Sequence, residues 1–227
     1  MRYTWGLLVV VFTLVSCKQD EIVIDFGYEY FGWEEGNYVI YDVVEIFHDI
    51  NLQPSSDTIH YKLKTVVGEP IIDNEGRSAN KYFRYTYSSN GTLTDQRVWA
   101  GIIAGQRAEL VEENQRIIHL VFAVTNDKTW DRNAFNPWES QIVSYQGINQ
   151  SRTIGNKTYN ASVRVNIQDF FSLVDHRVKY NTYAKGIGLV HRYEKDLTIA
   201  NFDTLNIQSG REVYYIAIEY GKEELTN

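Results

Sequence analysis

Through most of the chain, apolar and polar side chains alternate in short runs that turn residues interrupt, the period-two signature of half-buried strands. Residues 58–67 show it cleanly: Ile59, Tyr61, Leu63, Thr65 and Val67 face one way, and Thr58, His60, Lys62 and Lys64 the other. Residues 38–47 (YVIYDVVEIF) are apolar on both parities, which predicts a strand covered on both faces. Asp73-Asn74-Glu75-Gly76 reads as a turn. Residues 81–87 and 92–100 flank Ser88-Ser89-Asn90-Gly91, a hairpin signal because Asn-Gly tolerates positive φ. A second hairpin is predicted from 106–112 and 116–125 around Glu113-Asn114-Gln115, with Ile118, Leu120, Phe122 and Val124 as a core face. An irregular connection over 126–137 follows, then strands at 141–145 and 159–167, where Ala161, Val163, Val165 and Ile167 alternate. Residues 169–174 suit one helical turn. A long segment over 178–193 contains Gly186 and Gly188, which suggest a bend or bulge, and 212–220 is a final strand. The sum is roughly nine to eleven strands at hairpin spacing with no βαβ rhythm. The expected fold is all-β, a curved antiparallel sheet forming an open barrel or sandwich.

Composition sharpens this picture. The chain carries 17 Tyr, 10 Phe and 5 Trp against 3 Pro and 1 Met, a bias toward pleated, half-buried surfaces. Its formal charge is −7 and no Lys/Arg run tracks along it, so nucleic acid is not an expected partner. No segment between strands is rich in Gly, Pro or Ser, and one β domain over residues 30–227 is the simplest division.

The first residues break the alternation. A short start with Arg2 leads into LLVVVFTLV (residues 7–15), an uncharged run of less than half the roughly 20 residues a spanning helix needs. A basic start before a short apolar core is the shape of a signal peptide, here residues 1–16. Leu14-Val15-Ser16-Cys17 resembles the lipobox of bacterial lipoproteins, which implies lipidation of Cys17 and cleavage before it. Cys17 is the only cysteine, so no intrachain disulfide and no Cys-based zinc site can form. Two or three acyl chains, each contributing about 0.8 kcal/mol per buried CH₂, would hold the protein to a membrane. Residues 17–29 are then the lipidated cysteine and its tether. Lys18-Gln19-Asp20-Glu21 resembles the acidic export signal of surface lipoproteins of the Bacteroidota, which implies an outer-membrane anchor and exposure at the cell surface.

Three stretches resemble a group of uncharacterised lipoproteins of the Bacteroidota. They are GNYVIYDV (36–43), the segment from Ile118 to Phe122 continued by TWDRNAFN (129–136), and YAKGIGLV (183–190), with Glu219-Tyr220-Gly221 closing the domain. Members tend to have Gly where this chain has Arg132. The resemblance spans nearly all of the chain after the signal; it implies placement in the envelope and no catalytic residues.

Candidate chemistry is sparse. His48, His60, His119, His176 and His191 form no His-x-His, His-x-x-x-His or Glu-x-x-His pair, so no metal or other cofactor is expected. His119 and His191 lie in apolar strands and read as satisfied core or interface groups. Asp175-His176 has no Gly-x-Ser-x-Gly elbow to serve, and Glu34-Glu35 and Glu112-Glu113 read as solvated turns. No enzyme is expected. The loop with Trp130, Asp131, Arg132, Asn133, Phe135, Asn136 and Trp138 sets aromatic faces beside charged and amide groups, as sugar or peptide recognition requires. The alternative is a plug that tucks its aromatics under the sheet while its Asn side chains bond the turns. Asp57-Thr58-Ile59 and Asp203-Thr204-Leu205 resemble O-glycosylation sites of exported Bacteroidota proteins, which would modify Thr58 and Thr204. Two functions remain: a non-enzymatic envelope module that binds a partner protein or a glycan, and a carrier of lipid or another apolar ligand. A cavity lined by apolar side chains would mark the carrier.

Overall fold

The structure, a computed structural model, describes residues 25–225, so the signal segment and Cys17 lie outside the described residues. A single 3-10 turn, Tyr28–Phe31, leads into twelve strands. The first six are β1 (Asn37–Asp49), β2 (Ser56–Ile72), β3 (Ser78–Ser88), β4 (Leu93–Ala104), β5 (Arg107–Glu112) and β6 (Gln115–Val121). The others are β7 (Thr129–Asp131), β8 (Ile142–Ile154), β9 (Lys157–Phe171), β10 (Asp175–Ala184), β11 (Gly188–Ala200) and β12 (Asp203–Lys222). All pair antiparallel in one sheet ordered β6-β5-β4-β3-β2-β1-β12-β11-β10-β9-β8-β7.

The order makes two meanders that share a centre. β1 and β12 are partners there, and β6 and β7, consecutive in the chain, are the two edges. The short link between them draws the edges together, so the sheet curls into a nearly closed barrel. Ile118 N–H donates to the Arg132 carbonyl at 2.9 Å, and the Trp130 indole donates to the Ile118 carbonyl at 3.2 Å. Tyr145 adds a further stitch: its hydroxyl accepts from Val121 N–H at 2.8 Å and donates to Val121 O at 2.9 Å. Edge groups that a flat sheet would expose are satisfied in this way.

Alternation decides what the barrel encloses. Val39, Tyr41 and Val43 of β1 point inward with Leu63, Val190, Val213 and Tyr215. A second cluster gathers Tyr30 and Phe31 of the 3-10 turn with Leu120, Phe122, Trp130, Tyr145 and Val163. The turn is pinned to the β10–β11 hairpin, where Gly186 N–H donates to Glu29 O at 2.9 Å. Gly32 follows it at φ +59°, and a Cβ there would lie 2.5 Å from the Ile187 backbone. Asp25 pairs with Lys185, so the chain is docked from the first described residue.

Several sequence expectations are corrected. Residues 169–174 are not a helical turn: β9 runs to Phe171, and a hairpin returns into β10 at Asp175. Exposed Phe170, Phe171, Leu173 and Val174 gave that segment its apolar pattern. The segment over 178–193 is two strands rather than one; the bend suggested by Gly186 is their turn at residues 185–187, and a bulge lies earlier, between Thr182 and Tyr183. β8 continues past the predicted 141–145 to Ile154, and β12 begins at Asp203 rather than at 212. The irregular 126–137 connection contains β7, and twelve strands replace the nine to eleven expected.

Candidate functional site

A narrow cleft opens into the barrel between the β3–β4–β5 wall and the β10–β11–β12 wall. Its free interior is about 40 Å³, room for a few waters, and counted out through its mouth the unfilled space is about 630 Å³.

One wall is aromatic. Phe31 stacks on Trp33 at 4.6 Å, Trp33 tilts against Tyr82 at 5.3 Å, and Tyr82 lies 6.4 Å from Trp99. Strand pairing explains the last contact, because Tyr82 and Trp99 are register partners on β3 and β4. Gly101, two residues on, leaves the space that Trp33 fills; a Cβ there would lie 2.3 Å from the indole. The Arg84 guanidinium, on the same face of β3 as Tyr82, covers the Trp99 ring at 4.1 Å.

Charged side chains complete the lining. Glu112 and His119, from β5 and β6, meet at 2.6 Å through the imidazole Nε2. The other ring nitrogen, Nδ1, lies 3.0 Å from the Tyr183 hydroxyl, which accepts from Asn181 Nδ2 at 3.3 Å. Burial pushes His119 below its usual pKa, although Glu112 opposes the shift. The neutral ring then donates from Nε2 to Glu112 and accepts at Nδ1 from Tyr183, so both nitrogens are satisfied. Burial raises the Tyr183 phenol to about 12 and keeps it a donor. For Glu112, burial works against the charge, but the His119 bond and the fields of Arg192 and Arg132 outweigh it and hold the carboxyl at about 2. Glu112 is therefore no solvated turn residue, and this corrects the sequence reading.

Three guanidiniums surround this chain. Arg192 Nε donates to Asn181 at 3.3 Å and lies 3.7 Å from Glu194. Burial opposes its charge, but Glu194 and Glu112 carry its pKa above the ordinary value. Burial, together with nearby Arg192, lowers Arg132. Arg132 sits beyond His119, beside a small void shared with Asn181 and Val143. Among the described residues, neither Arg84 nor Arg132 has a carboxylate within 4.0 Å. The arrangement can hold a polar or anionic group against an aromatic wall.

The predicted loop is divided by the seam. Trp130 is buried against Tyr145 at 4.7 Å. Asp131 accepts from the N–H groups of Asn133 and Gln141 at 2.9 and 2.8 Å. Asn133 Nδ2 donates to Glu139 O at 2.7 Å and Asn136 Nδ2 to Arg116 O at 2.9 Å. Phe135, under the Arg107 guanidinium at 4.9 Å, and Trp138 are about half exposed. Of the seven loop residues, only Arg132 reaches toward the inner charges. Thr58 on β2 and Thr204 on β12 are both exposed. His48 bonds Glu212 at 3.1 Å, His60 is exposed, and His176 meets Phe171 edge-on at 5.3 Å. Among the described residues, no three His, Cys, Asp or Glu side chains converge as a metal site.

Sequence reasoning missed the cleft because its members are scattered over nine strands and the 3-10 turn. One signal was present: Tyr82 and Arg84 share a parity in KYFRYTY, as Leu110 and Glu112 do in β5.

No family model matches the chain, and no curated protein matches it. Two solved structures are similar. A candidate lipoprotein of Parabacteroides distasonis shares 14% identity over 85% of this chain and 98% of its own, with a TM-score of 0.45. A candidate exported protein with a YmcC-like fold from Bacteroides fragilis shares 10% identity over 88% of this chain and 100% of its own, with a TM-score of 0.47. At such values neither assigns this chain a ligand or an activity.

Proposed function

We propose that this chain is an exported lipoprotein, anchored in the outer membrane through lipid on Cys17, whose barrel is a non-enzymatic glycan-binding module. The observation that carries the binding reading is the aromatic run of Trp33, Tyr82 and Trp99 lining one cleft with Glu112, His119 and Arg192. Aromatic faces pack on the C–H faces of sugar rings, while fixed hydrogen-bonding groups opposite set orientation. Both nitrogens of His119 are engaged by Glu112 and Tyr183, which supports binding over catalysis. The anchor reading rests on the short apolar run that ends at Cys17, the only cysteine. Placement at the outer membrane rests on the acidic residues that follow it.

Two measurements test this. Metabolic labelling with a fatty-acid analogue should mark the wild-type protein and leave Cys17→Ala unlabelled; equal labelling would remove the anchor. On a glycan array, the full-length protein should bind defined oligosaccharides, and Trp99→Ala should weaken that binding about tenfold. An array blank for the wild type would remove the glycan reading.

The carrier of apolar ligands is the second reading. It would require the seam to open, because a free interior of about 40 Å³ lined by Glu112, His119 and Arg192 does not enclose an acyl chain. The exposed Phe135 and Trp138 would serve contact with a partner protein in the envelope.

A further inference from the structure

We infer that the cleft selects an acidic sugar, with the sugar's carboxylate drawn among the guanidiniums of Arg84 and Arg192 and its ring held against Trp99 and Tyr82. The inference rests on the glycan-binding reading and narrows it to one class of ligand.

Three observations carry it. First, the inner charges do not balance. Arg84, Arg132 and Arg192 stand around Glu112 and Glu194, so this group keeps an excess positive charge inside a chain whose total is −7, while Glu45 on the same inner face is taken by Arg211. Glu113, the next carboxylate toward solvent, is already taken by Arg97 at 2.7 Å. A cleft with low-dielectric walls focuses such an excess on whatever enters. Second, Arg84 is held without an ion pair. Its guanidinium carbon sits over the Trp99 ring at 4.1 Å from the centroid, a contact that holds the group in place while its donors remain available. A planar carboxylate matches that fork with two parallel hydrogen bonds. Third, the dimensions suit an anion on a ring. The interior of about 40 Å³ admits a group the size of a carboxylate, and the wider space toward solvent, in a cleft lined by Trp99 and Tyr82, leaves room for the ring that bears it. Glu112 stays charged and opposes such a group, but Arg192 and Arg132 both act against its charge.

The test is titration calorimetry of the full-length protein in detergent with trigalacturonate, with neutral galactotriose and with inorganic phosphate. The inference expects trigalacturonate to bind at least about tenfold more tightly than the neutral trisaccharide, since a charge-assisted hydrogen bond contributes about 1.5–3 kcal/mol. The advantage should shrink as salt rises. Arg84→Gln should remove most of it and Arg84→Lys should restore part, with an unchanged melting temperature to show that both fold. Equal binding of the two trisaccharides would overturn the acidic selection and leave glycan binding standing. Phosphate binding as tight as trigalacturonate would overturn the role of the ring. Failure of both trisaccharides would remove the glycan reading as well.

Discussion

Two side chains show how burial sets chemistry at single positions. His191, on the outer face of β11, packs edge-on against Tyr180 at 5.5 Å. Burial, reinforced by the Arg164 charge, lowers its pKa to about 4. The folded state keeps this ring neutral while the unfolded chain takes a proton below about 6.5, so stability is lost as pH falls from about 6.5 toward 4. Urea unfolding at pH 7 and pH 5 should show His191→Gln losing less stability on acidification than wild type, by up to about 2 kcal/mol. Equal losses would mean the ring is charged in the fold. Glu109 presents the opposite problem, a carboxylate with 1% side-chain exposure held by Arg107 at 2.9 Å and Arg116 at 2.8 Å, with Arg77 at 3.7 Å. Removing one member of such a buried group strands the others, so Glu109→Ala should cost about 3 kcal/mol or more in denaturant unfolding. A loss within about 0.5 kcal/mol would show that the arginines find water instead.

Among the elements, the 3-10 turn Tyr28–Phe31 does more than its four residues suggest. It supplies Tyr30 and Phe31 to the core, and its Tyr30 hydroxyl reaches across to Asn149 on β8 at 2.6 Å. Gly32 lets the chain pass against the β10–β11 turn in a left-handed conformation. In Gly32→Ala the new Cβ meets backbone rather than a yielding side chain, and the left-handed region adds its own cost. The substitution should lower stability by about 2 kcal/mol or more and raise amide exchange at Gly186. An unchanged exchange rate at Gly186 would mean that the turn docks without this close approach. This element was illegible in the chain because a single turn has no period; only its contacts define it. The helical turn expected at 169–174 failed for a related reason. Apolar residues that face outward around a hairpin mimic a helical spacing when the path of the chain is unknown.

For the whole molecule, the decisive feature is a closure made mainly by side chains. Most strands are joined by continuous backbone ladders, whereas β6 meets the β7–β8 side through Tyr145, the Trp130 indole, the Asn136 amide and one backbone bond from Ile118. The seam is therefore the weakest line around the barrel. Tyr145→Phe removes both bonds to Val121 and should cost about 1–3 kcal/mol, with faster hydrogen exchange along β6 than along β1. Uniform exchange in the variant would show that the barrel opens all at once rather than at the seam. Closure also creates the cleft, since Glu112 and His119 on one meander meet Arg192 and Tyr183 of the other only when the sheet curls.

Some of this was determined by the chain alone. Alternation of Ile59, Tyr61, Leu63, Thr65 and Val67, and of Val163, Val165 and Ile167, predicted inward faces; Leu63, Val163 and Val165 are buried in the core. Side chains on successive strand residues point to opposite faces, so local order alone predicts which residues are covered and yields an antiparallel all-β sheet. The tertiary structure decided the rest. Glu112 read as a solvated turn because nothing within a few residues could bury it; His119 lies seven residues away, Arg192 much farther. The pairing of β1 with β12, the union of the edges at Tyr145 and the charged lumen all depend on contacts between residues far apart in the chain. Local pattern carries no information about which distant strands meet, and bulges such as those at Ala108/Glu109 and Thr182/Tyr183 reverse parity just where the cleft residues lie.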